Sequence, residues 1–115
     1  DEDYFGERFV NEDQWENIYN ALLTVFPGTD DFFTLSYENT DNMPLKASIS
    51  EHLADIYQDL KDFVLLYQKN HTYAKQNAVY ECRQLFISHW GARIAAVLPA
   101  VHTLAFPIEM DDEML

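Results

Sequence analysis

Three stretches of this chain repeat apolar residues with the period of an α-helix. In the first, Trp15, Ile18, Tyr19, Leu22, Leu23 and Phe26 recur at helical spacing and share one face. Asn11 stands at an N-cap position, and Gln14 three residues later completes a capping-box spacing. Val10 and Trp15 are spaced for a hydrophobic staple, and Glu12 and Asp13 put negative charge on the positive end of the helix dipole. Pro27-Gly28 stops the element.

The second stretch, 48–68, is the cleanest. Ser48 and Glu51 have capping-box spacing, with Ser50 as an alternative cap. At about 100° per residue, Leu53, Ile56, Tyr57, Leu60, Phe63, Val64 and Tyr67 fall within roughly 120° of one another. Glu51, Asp55, Asp59 and Asp62 fall within roughly 80° on the other side. The pattern predicts a buried apolar face and a solvated acidic one.

The third stretch starts after His71, with Thr72 as a cap, and carries Ala74, Ala78, Cys82, Leu85, Phe86 and His89 on one side. Beyond Gly91 the apolar set (Ile94, Val97, Leu98, Val101, Leu104) is rotated by roughly 120° on the same clock. Either the chain breaks near Trp90-Gly91, or one long helix meets different partners along its length. Pro99 removes a hydrogen bond to Ala95 and predicts a kink, and Phe106-Pro107 ends the element.

Residues 27–47 fit no single period. Phe32, Phe33, Leu35 and Tyr37 suit a short helix or an extended arm, and Thr40-Asp41-Asn42-Met43-Pro44 is turn chemistry that predicts a loop. The whole predicts an all-α fold: an antiparallel bundle of three to four helices, the last long and kinked or broken near Gly91 and Pro99. It forms one helical domain over 1–115, with 1–9 and 108–115 expected to be flexible.

Size and charge narrow the function. At 115 residues and 13.5 kDa, the folded surface should be roughly 6,500 Å² against roughly 20,000 Å² for the extended chain, enough burial for one core. Twenty acids against seven bases give a net charge of −13, which disfavours direct binding to nucleic acid or to anionic membrane. The charge is uneven: residues 1–62 carry −12, 63–108 carry +3 and 109–115 carry −4. A mildly basic last helix lying against acidic neighbours accounts for that. One cysteine forms no internal disulfide and fits the cytoplasm. No apolar run approaches the ~20 residues of a membrane span.

Ile49-Ser50-Glu51-His52-Leu53-Ala54-Asp55-Ile56-Tyr57-Gln58-Asp59-Leu60-Lys61-Asp62-Phe63 resembles the signature of an uncharacterised bacterial family, domain of unknown function 5063. Cys82-Arg83 through Phe86, His89-Trp90-Gly91 and Ala100-Val101-His102 resemble its C-terminal helix, and Arg8-Phe9-Val10 before a capped helix also fits. The resemblance runs from about Phe9 to Leu104. It implies an all-helical cytoplasmic protein and the C-terminal portion of a longer domain, in keeping with a start at Asp1 rather than Met. It supplies no activity, cofactor or catalytic residue.

For chemistry, Glu51, Asp55 and Asp59 are the metal candidates, since carboxylates at i, i+4 and i+8 on one helix can hold Mg²⁺ or Mn²⁺. Their plainer role is a solvated face. His52, His71, His89 and His102 have no metal-ligand spacing, and no cysteine pair supports zinc; His89 and His102 are expected at helix contacts as hydrogen-bonded partners. Cys82 reads as a small buried thiol and Trp90-Gly91 as packing. No residue is nominated as catalytic or cofactor-binding. The expected function is a noncatalytic acidic helical module for a protein partner with a basic surface. A divalent-metal-dependent hydrolase and a structural homo-oligomer subunit are the alternatives.

Overall fold

The computed structural model describes residues 8–35 and 43–108. Helix α1 (Glu12–Val25) is followed by strands β1 (Asp31–Thr34) and β2 (Leu45–Ser48), then α2 (Ile49–Tyr67), α3 (Thr72–Leu85), a π-helical turn (Phe86–Trp90) and α4 (Gly91–Ala105). The helices form the expected bundle, with α2 central and packed by α1, α3 and α4. Among the described residues no helix is long and apolar enough to cross a membrane.

Local chemistry sets most boundaries. Asn11 accepts from the Gln14 amide while the Gln14 side chain accepts from the Asn11 amide, closing the capping box. After α1, the Thr29 amide donates to the Phe26 carbonyl at 3.2 Å across Pro27-Gly28. Gly28 sits at φ +71°, so Pro then Gly gives a type II turn that side-chain-bearing residues resist. Ser48 caps α2 as expected. For α3 the cap is His71 rather than Thr72: its Nδ1 accepts from the Tyr73 and Ala74 amides.

The extended arm is one strand of an antiparallel pair, in the register Asp31↔Ser48 to Thr34↔Leu45. Strands of four residues are too short for alternation to be read from sequence. The expected turn at 40–44 lies outside the described residues except for Met43 and Pro44, which have no regular structure. The expected flexible ends 1–7 and 109–115 also lie outside them. Arg8 and Phe9, assigned to the flexible end, are instead tied to α2 by the bonds given below.

Thr72–Ala105 is one continuous helix of 34 residues, and the break expected near Gly91 is the π turn. There the Gly91 amide donates to the Phe86 carbonyl, five residues back. A π turn absorbs one extra residue. Ala78 and Val97 are nineteen residues apart, which at about 100° per residue would leave them about 100° out of phase. One absorbed residue brings both onto the α2-facing side, and both are buried. This is the physical source of the rotated apolar stripe. Side chains add donors near the turn: Trp90 Nε1 bonds the Cys82 carbonyl and Ser88 Oγ the Gln84 carbonyl, each at 3.0 Å. Gly91 is required here, because a Cβ would lie 2.3 Å from the Phe86 oxygen and 2.7 Å from its ring. The helix continues through Pro99.

The core is split in two. At one end Phe32, Ile49 and Val97 pack with Phe26, Ala47, Leu53, Ile56, Ala96, Ala100 and Val101. At the other, Leu66, Ala74 and Ala78 pack with Phe9 and Phe63.

Candidate functional site

Between the two apolar clusters α2 carries Asp55, Asp59 and Asp62, and these point inward. Asp59 is 2 % and Asp62 5 % exposed, which corrects the expectation of a solvated acidic face. The helix is covered on more than one side, and Arg8, His89 and Arg93 supply partners for the acids, so the carboxylates are drawn in rather than turned out. Burying an unpaired carboxylate would cost several kcal/mol; each of these is paired.

Asp55 accepts from Trp15 Nε1 and from Arg93 Nε, both at 2.8 Å. Trp15 is held by stacking on Tyr19, with ring centroids 5.2 Å apart, so α1 presents the indole to the carboxylate. Asp59 accepts from Arg8 Nη2 at 2.9 Å and from His89 Nδ1. That bond assigns the Nδ1 proton and turns His89 Nε2 toward Asp55, 4.0 Å away. Asp62 Oδ1 accepts the Phe9 and Val10 amides at 2.8 Å each. Its other oxygen lies 2.7 Å from Arg8 Nε, an ion pair whose N–H is not aligned as a hydrogen bond. A cavity of about 20 Å³ beside Arg8, Asp59, Asp62 and Cys82 has room for one water molecule.

The layer therefore fastens three parts of the chain to α2: the segment before α1, α1 itself, and the turn from π helix to α4. His89 bonds Asp59 and lies 4.0 Å from Asp55, so its ring ties the π turn to α2. His89 thus has the helix-contact role expected of it, whereas His102 is exposed with its ring 5.1 Å from that of Phe106. Burial first, and then the charge of Asp59, push the half-buried Cys82 thiol up, which favours the neutral form over a nucleophilic thiolate.

The three metal candidates separate. Asp55 and Asp59 share the layer, while Glu51 is exposed one turn earlier and joins none of these contacts. An ion held by Asp55 and Asp59 would take the places of Arg93 and His89. Among the described residues no three His, Cys, Asp or Glu side chains are arranged to hold a metal. Sequence reasoning missed Arg8 and Arg93 as counter-charges; the +3 balance of 63–108 was a signal for Arg93, and nothing comparable pointed to Arg8.

A second carboxylate, Asp30, sits at the start of α2. It accepts from Ser48 Oγ, Ser50 Oγ and, at 2.8 Å, the Ser50 amide, while its carbonyl takes the Ile49 amide at 2.7 Å. Partial burial pushes its carboxyl up, but the three hydrogen bonds outweigh that and leave it below the ordinary carboxylate value. Ser50, a candidate cap by sequence, is instead buried against this group.

The sequence profile of a family described as Domain of unknown function (DUF5063) matches residues 2–107. Among solved structures, protein BF1032 from Bacteroides fragilis is similar, with a TM-score of 0.76 and 27 % identity. That likeness covers 93 % of this chain and 61 % of the Bacteroides chain, so this chain spans about three fifths of that protein's length. No curated protein gives a significant match.

Proposed function

We propose that this chain, a member of the family Domain of unknown function (DUF5063), is a noncatalytic helical module that binds a protein partner with a basic surface. One observation carries the reading: among the described residues, 17 large hydrophobic side chains are exposed while only eight apolar residues are buried. Scattered exposed apolar residues are ordinary. Here two of them adjoin: exposed Val79 and Phe86, with half-buried Phe63 and Trp90, line an open apolar depression of about 330 Å³ beside the π turn. Patches of that kind mark interaction surfaces.

The charge supports a basic partner. Asp55, Asp59 and Asp62 are engaged internally, so the acids that meet a partner are Glu12, Asp13 and Glu16 on α1 and Glu51 on α2, all exposed. With a net charge of −13 the long-range field attracts cations and speeds encounter. The reading takes the bacterial cytoplasm as its compartment.

The test is retention of protein partners on the immobilised chain between ~50 mM and ~500 mM salt, a range over which screening becomes severe. Retention should fall with salt and fall again in the variant Glu12→Lys, Asp13→Lys, Glu16→Lys. Retention indifferent to both removes the basic partner.

A further inference from the structure

We infer that the cleft between α1, the residues just before it and α2 binds a small organic acid, its carboxylate on Lys61 and its apolar body against Phe9, Ile18 and Leu65. The cleft shares no residue with the apolar depression beside the π turn, so it stands apart from the partner surface proposed above. Lys61 is singled out among the seven Lys and Arg of the chain. Arg8, Lys46 and Arg93 pair with carboxylates, Lys75 bonds the Tyr67 carbonyl, and Lys69 lies over the Phe9 ring at 5.3 Å. Arg83 is exposed to water. Lys61 is half-buried, and among the described residues no acid or other acceptor lies within its reach. A half-buried ammonium has given up part of its hydration for nothing, a cost that a bound anion removes. The helix itself offers no remedy. Tyr57, Gln58, Val64 and Leu65 occupy the positions three and four away, where a helical partner would have to stand.

The rest of the cleft suits the same ligand. Its volume is about 230 Å³, room for roughly eight water-sized groups. Lys61 is its one charged residue: no Asp or Glu lines it, in a chain that has 20 of them. The other polar groups can donate. Gln14 Oε1 already accepts the Asn11 amide at 3.0 Å, which leaves its Nε2 donors for a ligand. Tyr57 adds a hydroxyl and Asn17 an amide that can turn its donors inward. Phe9, Ile18 and Leu65 are half-buried and form the apolar wall. A mostly apolar pocket with a few placed polar groups is the usual form of a small-molecule site. A cation among donors selects a carboxylate, and the volume limits its body to a short aliphatic chain or one aromatic ring. Such a ligand touches α1 and α2 at once. It therefore braces α1 where the Phe9 amide already bonds Asp62.

The probes are sodium hexanoate, benzoate and phenylacetate, each compared with its neutral amide at matched ionic strength. At ~10 mM at least one acid should raise the melting temperature, and its amide should not. In nuclear magnetic resonance spectra the same acid should shift the signals of Tyr57, Lys61 and Leu65. Lys61→Met keeps the stem and removes the charge; it should weaken binding by about tenfold or more with unchanged circular dichroism. Lys61→Arg should keep most of the affinity, and Arg83→Met all of it. An amide that binds as well as its acid overturns the site, as does full affinity in Lys61→Met. Equal loss in Lys61→Met and Lys61→Arg points to shape rather than charge and overturns it too. Shifts centred on Arg83, or no response to any of these acids, have the same consequence. Neutralising Asp1, Glu2, Asp3 and Glu7 together supplies the last control. If that change alone, with no acid added, moves the Lys61 signals, the chain's own start is the counter-charge and the ligand is overturned.

Discussion

The two ends of α2 and its middle are held by different forces. At the ends, Ile49 and Leu66 sit among aliphatic and aromatic neighbours, and each fully buried side chain contributes about 1.5–3 kcal/mol by leaving water. In the middle, Asp55, Asp59 and Asp62 meet Arg8, His89, Arg93, the Trp15 indole and two backbone amides. The apolar ends supply attraction with little demand on direction. The ionic middle supplies direction, because each bond closes only when Arg8, Trp15, His89 and Arg93 arrive at fixed positions. A buried ion layer adds little net energy over a well-packed apolar one, yet leaving it half-made is expensive. The difference suggests that the layer sets the alignment of four chain segments while the two clusters hold them together.

The contrast is tested most severely at Asp59. Asp59→Ala should cost about 3–5 kcal/mol in urea denaturation, since it strands His89 and Arg8. The double variant Asp59→Ala, His89→Ala should cost less than the two single changes together. A cost under about 1 kcal/mol for Asp59→Ala would mean that the middle behaves like solvent-exposed surface, and the contrast would vanish.

Next in size is Gly91→Ala, expected to lose about 1–3 kcal/mol through overpacking against Phe86. It acts on both regions, because the π turn positions His89 and Arg93 for the layer and Val97 for the core. Thermal unfolding measures the loss, and the tryptophan fluorescence of Trp90 reports the local change.

Asp30 tests the boundary between sheet and α2 with a smaller effect. Its carboxyl lies below the ordinary value, so the folded state binds that proton more weakly than the unfolded one. Its contribution is fully present above the unfolded carboxylate value of about 3.9 and is lost as pH falls through the lower folded value. Asp30→Asn should therefore flatten the acid limb of a stability–pH profile. An acid limb unchanged by the substitution would show that these three hydrogen bonds do not favour the charged form.

The smallest expected effect is none. Mg²⁺ or Mn²⁺ at ~10 mM should leave the melting temperature where it is, because the carboxylates of the layer already hold cations. A rise that Asp55→Asn abolishes would restore the metal-hydrolase alternative.

Much of this fold is legible in the residues themselves. Asn11 and Gln14, Ser48, and Pro27-Gly28 act over three or four positions, so their roles survive without knowledge of neighbours. The apolar period of α2 gives its extent, but not which side is covered: amphipathicity assumes that the acidic side is the wet one, whereas Tyr57, Val64 and Tyr67 are exposed and Asp59 and Asp62 are buried. The inward turn of Asp55, Asp59 and Asp62 depends on Arg8, His89 and Arg93, which lie 30 to 54 residues from the acids they meet. The basic balance of 63–108 hinted at the pairing of Arg93 alone. The rotation of the apolar stripe at Gly91 was visible, but a break and a π turn predict the same rotation, and the sequence does not separate them. The β pairing escaped because four-residue strands show no period.

The single additional residue absorbed at Phe86–Trp90 makes the long helix behave like a text with a shifted reading frame. Deleting one position there would restore regular winding and keep Arg93 and Val97 turned toward α2, because the remaining separation from Ala78 is then about five whole turns. Shortening the helix by one residue within the turn should thus be better tolerated than adding one, which a regular helix answers by rotating everything that follows by about 100°.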